Sequence, residues 1–217
     1  MAAGAGTRMG GVDKLFASLA GRPVLAHSLD AFQRCPAVAH IVLVLATAAV
    51  PRGRALVVEG GFSKVAAVCP GGPRRQDSVR LGLRALPACP WVAVHDGARP
   101  LVTSDLVLRG LEAARPSGAA VPVVPLADTV KEVSPRGDVL RTLDRSLLRA
   151  VQTPQIFRCD LLRRAHEEVT GDVTDDAAMV EALGLPVATF AGSRRNIKIT
   201  EPEDLELARA LMTLPPS

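Results

Sequence analysis

Apolar residues along this chain recur with two different periods. Short runs such as HIVLVLA (40–46), WVAVHD (91–96), AAVPVVPL (119–126), PVATFA (186–191) and NIKIT (196–200) predict strands. Between them the spacing becomes helical. Val24, Leu25, Ser28, Leu29 and Phe32 form one stripe in 24–34, and Val79, Leu83 and Leu86 recur at i, i+4 and i+7 in 77–86. Ser104 predicts the N-cap of a helix through Arg115, and Thr174 that of a helix stopped by Gly184. Thr200, Glu201, Pro202 and Glu203 predict the cap, early proline and capping box of a last helix running through LELARALM.

Strands alternating with helices predict an α/β fold: a Rossmann-like, mostly parallel sheet with helices on both faces, occupying 1–217 as a single domain. Ligands of such sheets gather at the carboxyl ends of the strands. One stretch departs from the alternation. DTVKEVSPRGDVLRTLDRS reads as two short strands around a Pro135-Arg136-Gly137-Asp138 turn, which predicts a β-arm at about 128–147 that projects towards another subunit.

Composition narrows the class. With 217 residues, 48% hydrophobic and 22% charged, the chain can bury a sizeable core, and no apolar run is long enough to span a bilayer. A soluble, cytoplasmic protein of bacterial type is expected, without a membrane partner. Cys35, Cys69, Cys89 and Cys159 are dispersed, with neither a CxxC pair nor zinc-ligand spacing. The net charge of +4 is spread along the chain, and with no Tyr and little Phe to stack bases, a nucleic-acid partner is not expected.

Two segments carry candidate chemistry. In MAAGAGTRMGGVDK, Gly4 and Gly6 let the main chain curve so that successive N–H groups cradle phosphate oxygens, and Arg8 and Lys14 suit a triphosphate. The order is not that of a P-loop, and the third glycine of GxGxxG is replaced by Met9. VHDGARP closes a buried-looking strand: Asp96 can hold Mg²⁺ while Arg99 orients the loop or a phosphate. Lys198, Arg145, Thr129 and Thr153 are further candidates for anion contacts.

In this order, AAGAGTRMGGVDK, GGPRRQDSV, VHDGARP, DTVK, LDR, TPQIF, TDDA and NIKIT closely resemble the 2-C-methyl-D-erythritol 4-phosphate cytidylyltransferases of the methylerythritol phosphate route to isoprenoids, from the first residues to about Met212. The resemblance implies attack by a sugar-alcohol phosphate on the α-phosphorus of CTP, with loss of pyrophosphate and help from Mg²⁺. It assigns Arg8, Lys14 and Lys198 as catalytic cations. Ala2, Ala3, Gly4, Gly6 and the Asp96-Gly97 turn become nucleotide contacts, with Asp96 on the metal. Gly71, Gly72 and Ser78 fall around the cytosine, with Arg75 and Asp77 tying that loop together. Asp96, Arg99, Thr129, Arg145, Thr153, Thr174 and Lys198 fall in the methylerythritol phosphate pocket, and Asp175 in the helix start beside it. The family's arms are exchanged in a homodimer, so Thr129 and Arg145 would serve the neighbouring subunit. His95 is expected to be structural, because an anionic phosphate nucleophile needs no general base.

The chain departs from the family at its first residue. Family members carry an apolar strand of about five or six residues before AAG, a usual strand length, and here only Met1 precedes it. The expectation is that the natural chain begins upstream of this Met1, and that the sheet of the chain as given lacks its first strand. Two other functions share much of the pattern: a ribitol-5-phosphate cytidylyltransferase, and a non-catalytic nucleotide-binding scaffold.

Overall fold

The computed structural model describes Met1 and residues 13–215, and its elements alternate from the start. A small hairpin, β1 (Ser18–Leu19) with β2 (Arg22–Pro23), leads into α1 (Val24–Arg34). There follow β3 (Ile41–Leu45), α2 (Val50–Glu59), β4 (Val65–Pro70), α3 (Arg75–Ala85), β5 (Trp91–Val94), α4 (Ser104–Ala114) and β6 (Ala119–Pro125). An excursion of β7 (Lys131–Val133) and β8 (Val139–Thr142) precedes β9 (Arg149–Val151) and β10 (Gln155–Arg158). The chain closes with α5 (Cys159–Glu168), α6 (Asp176–Ala182), β11 (Ala188–Ala191) and α7 (Pro202–Thr213). No described helix is long and apolar enough to cross a membrane.

The main sheet has the order β11-β6-β10-β5. β11 runs parallel to β6, and β10 lies antiparallel between β6 and β5, so β5, β6 and β11 share one direction. The sheet is therefore mixed where a mostly parallel one was expected, and the reason is the antiparallel β9 and β10, strands of three and four residues too short to stand out by periodicity. β9 and β10 lie end to end along the same edge of β6, opposite Val123–Pro125 and Ala119–Ala120 respectively. Residues 152–154 break this line, with a cis Thr153-Pro154 bond, and turn towards the end of β5.

Alternation along the strands fills both faces. Ala119, Val121 and Phe157 pack with Leu161 and Leu162 of α5 and Met179 and Val180 of α6. On the other face Ala120 and Ile156 meet Ala114 of α4. Gly110 of α4 allows this close approach, since a Cβ there would lie 2.8 Å from both Ile156 and Phe190. β3 and β4 form a separate parallel pair covered by α1, α2 and α3.

Between β3 and β5 the architecture is open. Among the described residues β3 pairs only with β4 and β5 only with β10, and a cavity of about 290 Å³ lies between their free edges, lined by Leu29, Val42, Val44, Leu83, Val92 and Val94. Met1 sits at one end. Its amine donates to the carbonyl of His95, and its own carbonyl accepts from Gly97 N at 2.8 Å. That reciprocal pair is the hydrogen-bond pattern of a parallel bridge opposite Asp96. The place where a first strand was expected to be lacking is thus a slot that Met1 enters in parallel orientation.

The expected hairpin is present. β7 and β8 pair antiparallel around 134–138, where Ser134 N bonds Asp138 O at 2.9 Å and Gly137 takes φ +89°. Among the described residues neither strand joins another sheet, and Val133, Val139, Leu140 and Leu147 are exposed. Several boundaries differ from the pattern-based ones. α4 is capped by Thr103, whose Oγ1 accepts from Leu106 N, and α7 by Glu201 with Asp204 closing the box. NIKIT is not a strand: Ile199 N bonds Ala98 O at 2.8 Å, so it lies along the loop after β5 rather than in a sheet.

Candidate active site

The site forms where β5 ends. Asp96 follows the strand, and its position is fixed by the break between β9 and β10. Asp96 N donates to Thr153 Oγ1 at 3.0 Å, and that hydroxyl lies 3.1 Å from His95 Nδ1. His95 Nε2 lies 3.2 Å from Arg99 O, a carbonyl, so Nε2 carries the proton and Nδ1 accepts from Thr153. Burial, and then the Met1 amine, push His95 down to about 3, so the ring stays neutral. Both nitrogens are engaged, and Phe32 packs at 5.0 Å between ring centroids. The expected structural role of His95 follows from this geometry.

The side chain of Asp96 faces cations. Lys198 Nζ is 2.8 Å from Oδ2, and Arg99 Nε is 3.7 Å from the same oxygen, too long for a hydrogen bond. Burial pushes Asp96 up, but Lys198 outweighs it, with help from the Met1 amine, and the carboxyl is held well below the usual range. Arg99 is fixed through Nη1, which donates to Asn196 O at 2.7 Å. Asn196 in turn donates from Nδ2 to Thr153 O at 2.8 Å, so one buried asparagine ties Lys198's segment to Asp96's. Sequence reasoning missed Asn196, whose only signal is a polar residue inside an apolar alternation. Lys198 keeps 42% of its side chain exposed, and its charge is therefore open to an incoming anion.

The loop after β4 forms the second wall. Gly71 N donates to Leu45 O at 2.7 Å, joining the loop to the end of β3. Ser78 is buried, its Oγ accepting from Gly72 N at 3.0 Å and lying 3.2 Å from the carbonyls of Gly72 and Arg74. Its hydroxyl thus shapes the loop rather than pointing free. A Cβ on Gly72 would fall 2.6 Å from Asp77 Cβ, so only glycine fits there. The expected Arg75–Asp77 tie is not formed. Arg74 takes that role, from Nε and Nη2 at 2.9 Å to Asp77, while Arg75 reaches Asp176 at 2.7 Å. Adjacent residues at a helix start point about 100° apart, and nothing in the sequence says which arginine goes where.

Other predicted residues are placed apart from this cluster. Thr129 is exposed at the root of the arm, and Arg145 Nη1 donates to Ala127 O at the arm's base. Neither bonds to Asp96, Arg99 or Lys198. Thr174 is exposed and caps nothing; Asp175 is the cap of α6, accepting from Ala178 N at 3.0 Å. Gly97 is buried with its carbonyl accepting from Ser28 Oγ at 3.1 Å. Lys14 lies in a turn after Asp13; burial pushes Asp204 up, but the N–H groups of Thr200 and Glu201 and the Thr200 hydroxyl, with help from the Lys14 charge, hold it below the usual range. Ala2, Ala3, Gly4, Gly6 and Arg8 lie outside the described residues.

The described groups can bind an anion: two cations lie on one half-buried carboxylate, beside the loop 71–78. Among the described residues no three His, Cys, Asp or Glu side chains gather to hold a metal alone. Asp96 is the single carboxylate of the described cluster, which fits a Mg²⁺ bound chiefly through substrate phosphates and water.

Comparison with known proteins gives the same direction. The family model described as IspD, 2-C-methyl-D-erythritol 4-phosphate cytidylyltransferase, matches residues 1–214. A protein of that name from Dehalococcoides mccartyi strain CBDB1 is 53% identical over 212 residues, covering 98% of this chain and 93% of that one. The crystal structure of the Thermus thermophilus enzyme of that name superposes with a TM-score of 0.80 at 41% identity, over 93% of this chain and 94% of that one. The 4-diphosphocytidyl-2C-methyl-D-erythritol synthase of Anaerococcus prevotii, 29% identical, gives 0.82 over 91% and 88%. The chain belongs to the 2-C-methyl-D-erythritol 4-phosphate cytidylyltransferase family.

Proposed function

We propose that this chain transfers the cytidylyl group of CTP to 2-C-methyl-D-erythritol 4-phosphate. A phosphate oxygen of the acceptor attacks the α-phosphorus, the new P–O–P bond forms, and the bond to the β-phosphate breaks to release pyrophosphate. The acceptor is already anionic, so no side chain has to remove a proton. A site with no free histidine among the described residues supports this: His95 is buried, neutral and bonded at both nitrogens.

The barrier is then repulsion between two anions, and the chain's part is to place positive charge where it develops. The observation that carries the reading is Lys198 Nζ on Asp96 Oδ2 at 2.8 Å, at the carboxyl end of β5. Asp96 stays ionised and would hold Mg²⁺, which when bound neutralises triphosphate charge. Arg8 and Lys14 are proposed for the β- and γ-phosphates, and Arg99 for the acceptor phosphate. The loop 71–78 is proposed as the cytosine slot, where the Gly72 carbonyl oriented by Ser78, with a second lone pair to spare, meets the amine of the base.

Thr129, Arg145, Thr153 and Thr174 are proposed as acceptor contacts, with Thr129 and Arg145 delivered across a homodimer. The exposed Val133, Val139, Leu140 and Leu147 on and beside the arm support a covered arm. The test is pyrophosphate release with CTP and Mg²⁺, comparing methylerythritol phosphate with ribitol 5-phosphate. Turnover confined to the first is expected. Turnover with ribitol 5-phosphate alone transfers the reading to that acceptor, and CTP binding without release from either makes the chain a nucleotide-binding scaffold.

A further inference from the structure

Behind the cytosine loop lies a charge that the reaction does not use. Asp176 opens α6 with no exposed surface. Its Oδ1 is 3.2 Å from Nε2 of His166 on α5, itself buried, and its Oδ2 is 2.7 Å from Nη2 of Arg75, the first residue of α3. His166 Nδ1 has no partner, which assigns the proton to Nε2 and makes the ring a donor to the carboxylate. The helix start is fixed a second time by Asp175, which caps α6 and accepts from the buried Gln155 Nε2 at 2.6 Å. Burial pushes Asp176 up, but His166 and then Arg75 hold it below the usual carboxylate range.

Arg75 and Arg74 have different fates. Arg74 is committed to Asp77 and to Asp172 at 2.9 Å, both on the outside of the loop. Arg75 is anchored from below by one edge of its guanidinium, while 30% of its side chain remains exposed. Its partner Asp176 follows Asp175, which bonds Gln155, and Gln155 stands opposite Val94 at the end of β5, so Arg75 lies at the same end of the sheet as Asp96. A guanidinium has two hydrogen-bonding edges in a rigid fork. The contact with Asp176 is a charge contact at Nη2 rather than an aligned hydrogen bond, since Oδ2 has no hydrogen-bond partner among the described residues; it anchors one end of the fork and leaves the other N–H groups for a ligand.

We infer that Asp176, braced by His166, is a positioning residue for nucleotide binding: it holds Arg75 so that the free edge of the guanidinium contacts the nucleoside triphosphate. This rests on reading the site as a CTP site. If the pair served only to hold α3 against α6, the free edge would have no consequence for ligand binding.

The test is a double-mutant cycle read by calorimetric CTP binding in Mg²⁺, with thermal melts in parallel, on the full chain and its D176N, R75M and R75M/D176N variants. The expected result is a loss of about tenfold or more in CTP affinity for D176N when Arg75 is present, and no further loss in the R75M background. H166Q should weaken CTP by about threefold, through the looser carboxylate. Unchanged affinity in D176N despite a lower Tm, or an equal loss in both backgrounds, overturns the inference. Should D176N not fold, R75K decides: it keeps a positive charge for Asp176 but lacks the second edge, so affinity should fall about fivefold or more, and an unchanged value overturns the inference. Absence of CTP binding by the unaltered chain defeats the reading of the site, and the inference with it; binding with an additive cycle defeats the inference alone.

Discussion

The two sides of the β5 strand are built differently. On one side β10, β6, β9 and β11 complete a mixed sheet whose central side chains, Phe157, Ile156, Ala119 and Ala120, are wholly buried. On the other, β3 and β4 stand apart across an apolar slot, bridged at its end by Met1. The cationic centre belongs to the closed side: Asp96 is held by Thr153, and Lys198's segment by Asn196 and Ala98. The loop 71–78, proposed to receive the cytosine, belongs to the open side, rooted on β4 and on Leu45 of β3. The groups proposed to stabilise transferring charge therefore sit on the closed half, where more hydrogen bonds hold them, and the loop proposed to receive the base sits on the half beside the cavity.

Removing charge from the closed side should have the largest effect. K198M is expected to lower kcat/KM for CTP by about 10²–10³-fold, with little change in Tm because the side chain is half exposed. A loss below about threefold would remove Lys198 from the proposed role. The open side responds in stability instead. Five alternating Val and Ile residues placed before Met1 would run parallel to β5 into the slot, whereas a Gly/Ser extension of the same length would not. Burying even two such side chains is worth about 3 kcal/mol and should raise Tm by about 6–12 °C over the Gly/Ser control. Equal melting temperatures would mean that the slot does not accept a strand.

A smaller effect comes from His95 at the seam between the halves. Its folded value of about 3 lies below the ordinary 6.5, so between those values the unfolded chain binds the extra proton. The contribution of the neutral ring is complete above about pH 6.5 and is lost as pH falls towards 3, amounting to about 2 kcal/mol at pH 5. Urea unfolding at pH 7.5 and pH 5 checks this: H95Q should lose less stability than the parent on acidification, and parallel losses would contradict the assignment. The smallest effect belongs to the closed side's periphery. T103A removes the α4 cap and should cost about 1 kcal/mol, or about 2–4 °C in Tm, with turnover unchanged.

Legibility in the sequence followed the same division. Long periodic segments were plain: α1 falls on 24–34 as expected, β5 begins at Trp91, and the arm turns at 135–138. β10 was not legible, because four residues of QIFR carry no period, and with β9 it makes the sheet mixed. NIKIT shows why alternation alone misleads. Ile199 is buried and Lys198 reaches Asp96, a period of two, yet the backbone pairs with a loop. At the site, motif order pointed to Asp96, Arg99 and Lys198, which do converge. It could not separate Arg74 from Arg75, nor find Asp176 beneath them, because a carboxylate's burial depends on partners contributed by α3 and α5.

The most direct test of the central claim is a phosphorus NMR time course of the chain with CTP, Mg²⁺ and methylerythritol phosphate. The account predicts that the acceptor's monoester signal disappears as paired diphosphate resonances and an equal amount of pyrophosphate appear, in the parent and not in K198M. Persistence of the CTP and monoester signals in the parent, or equal product from K198M, would contradict it.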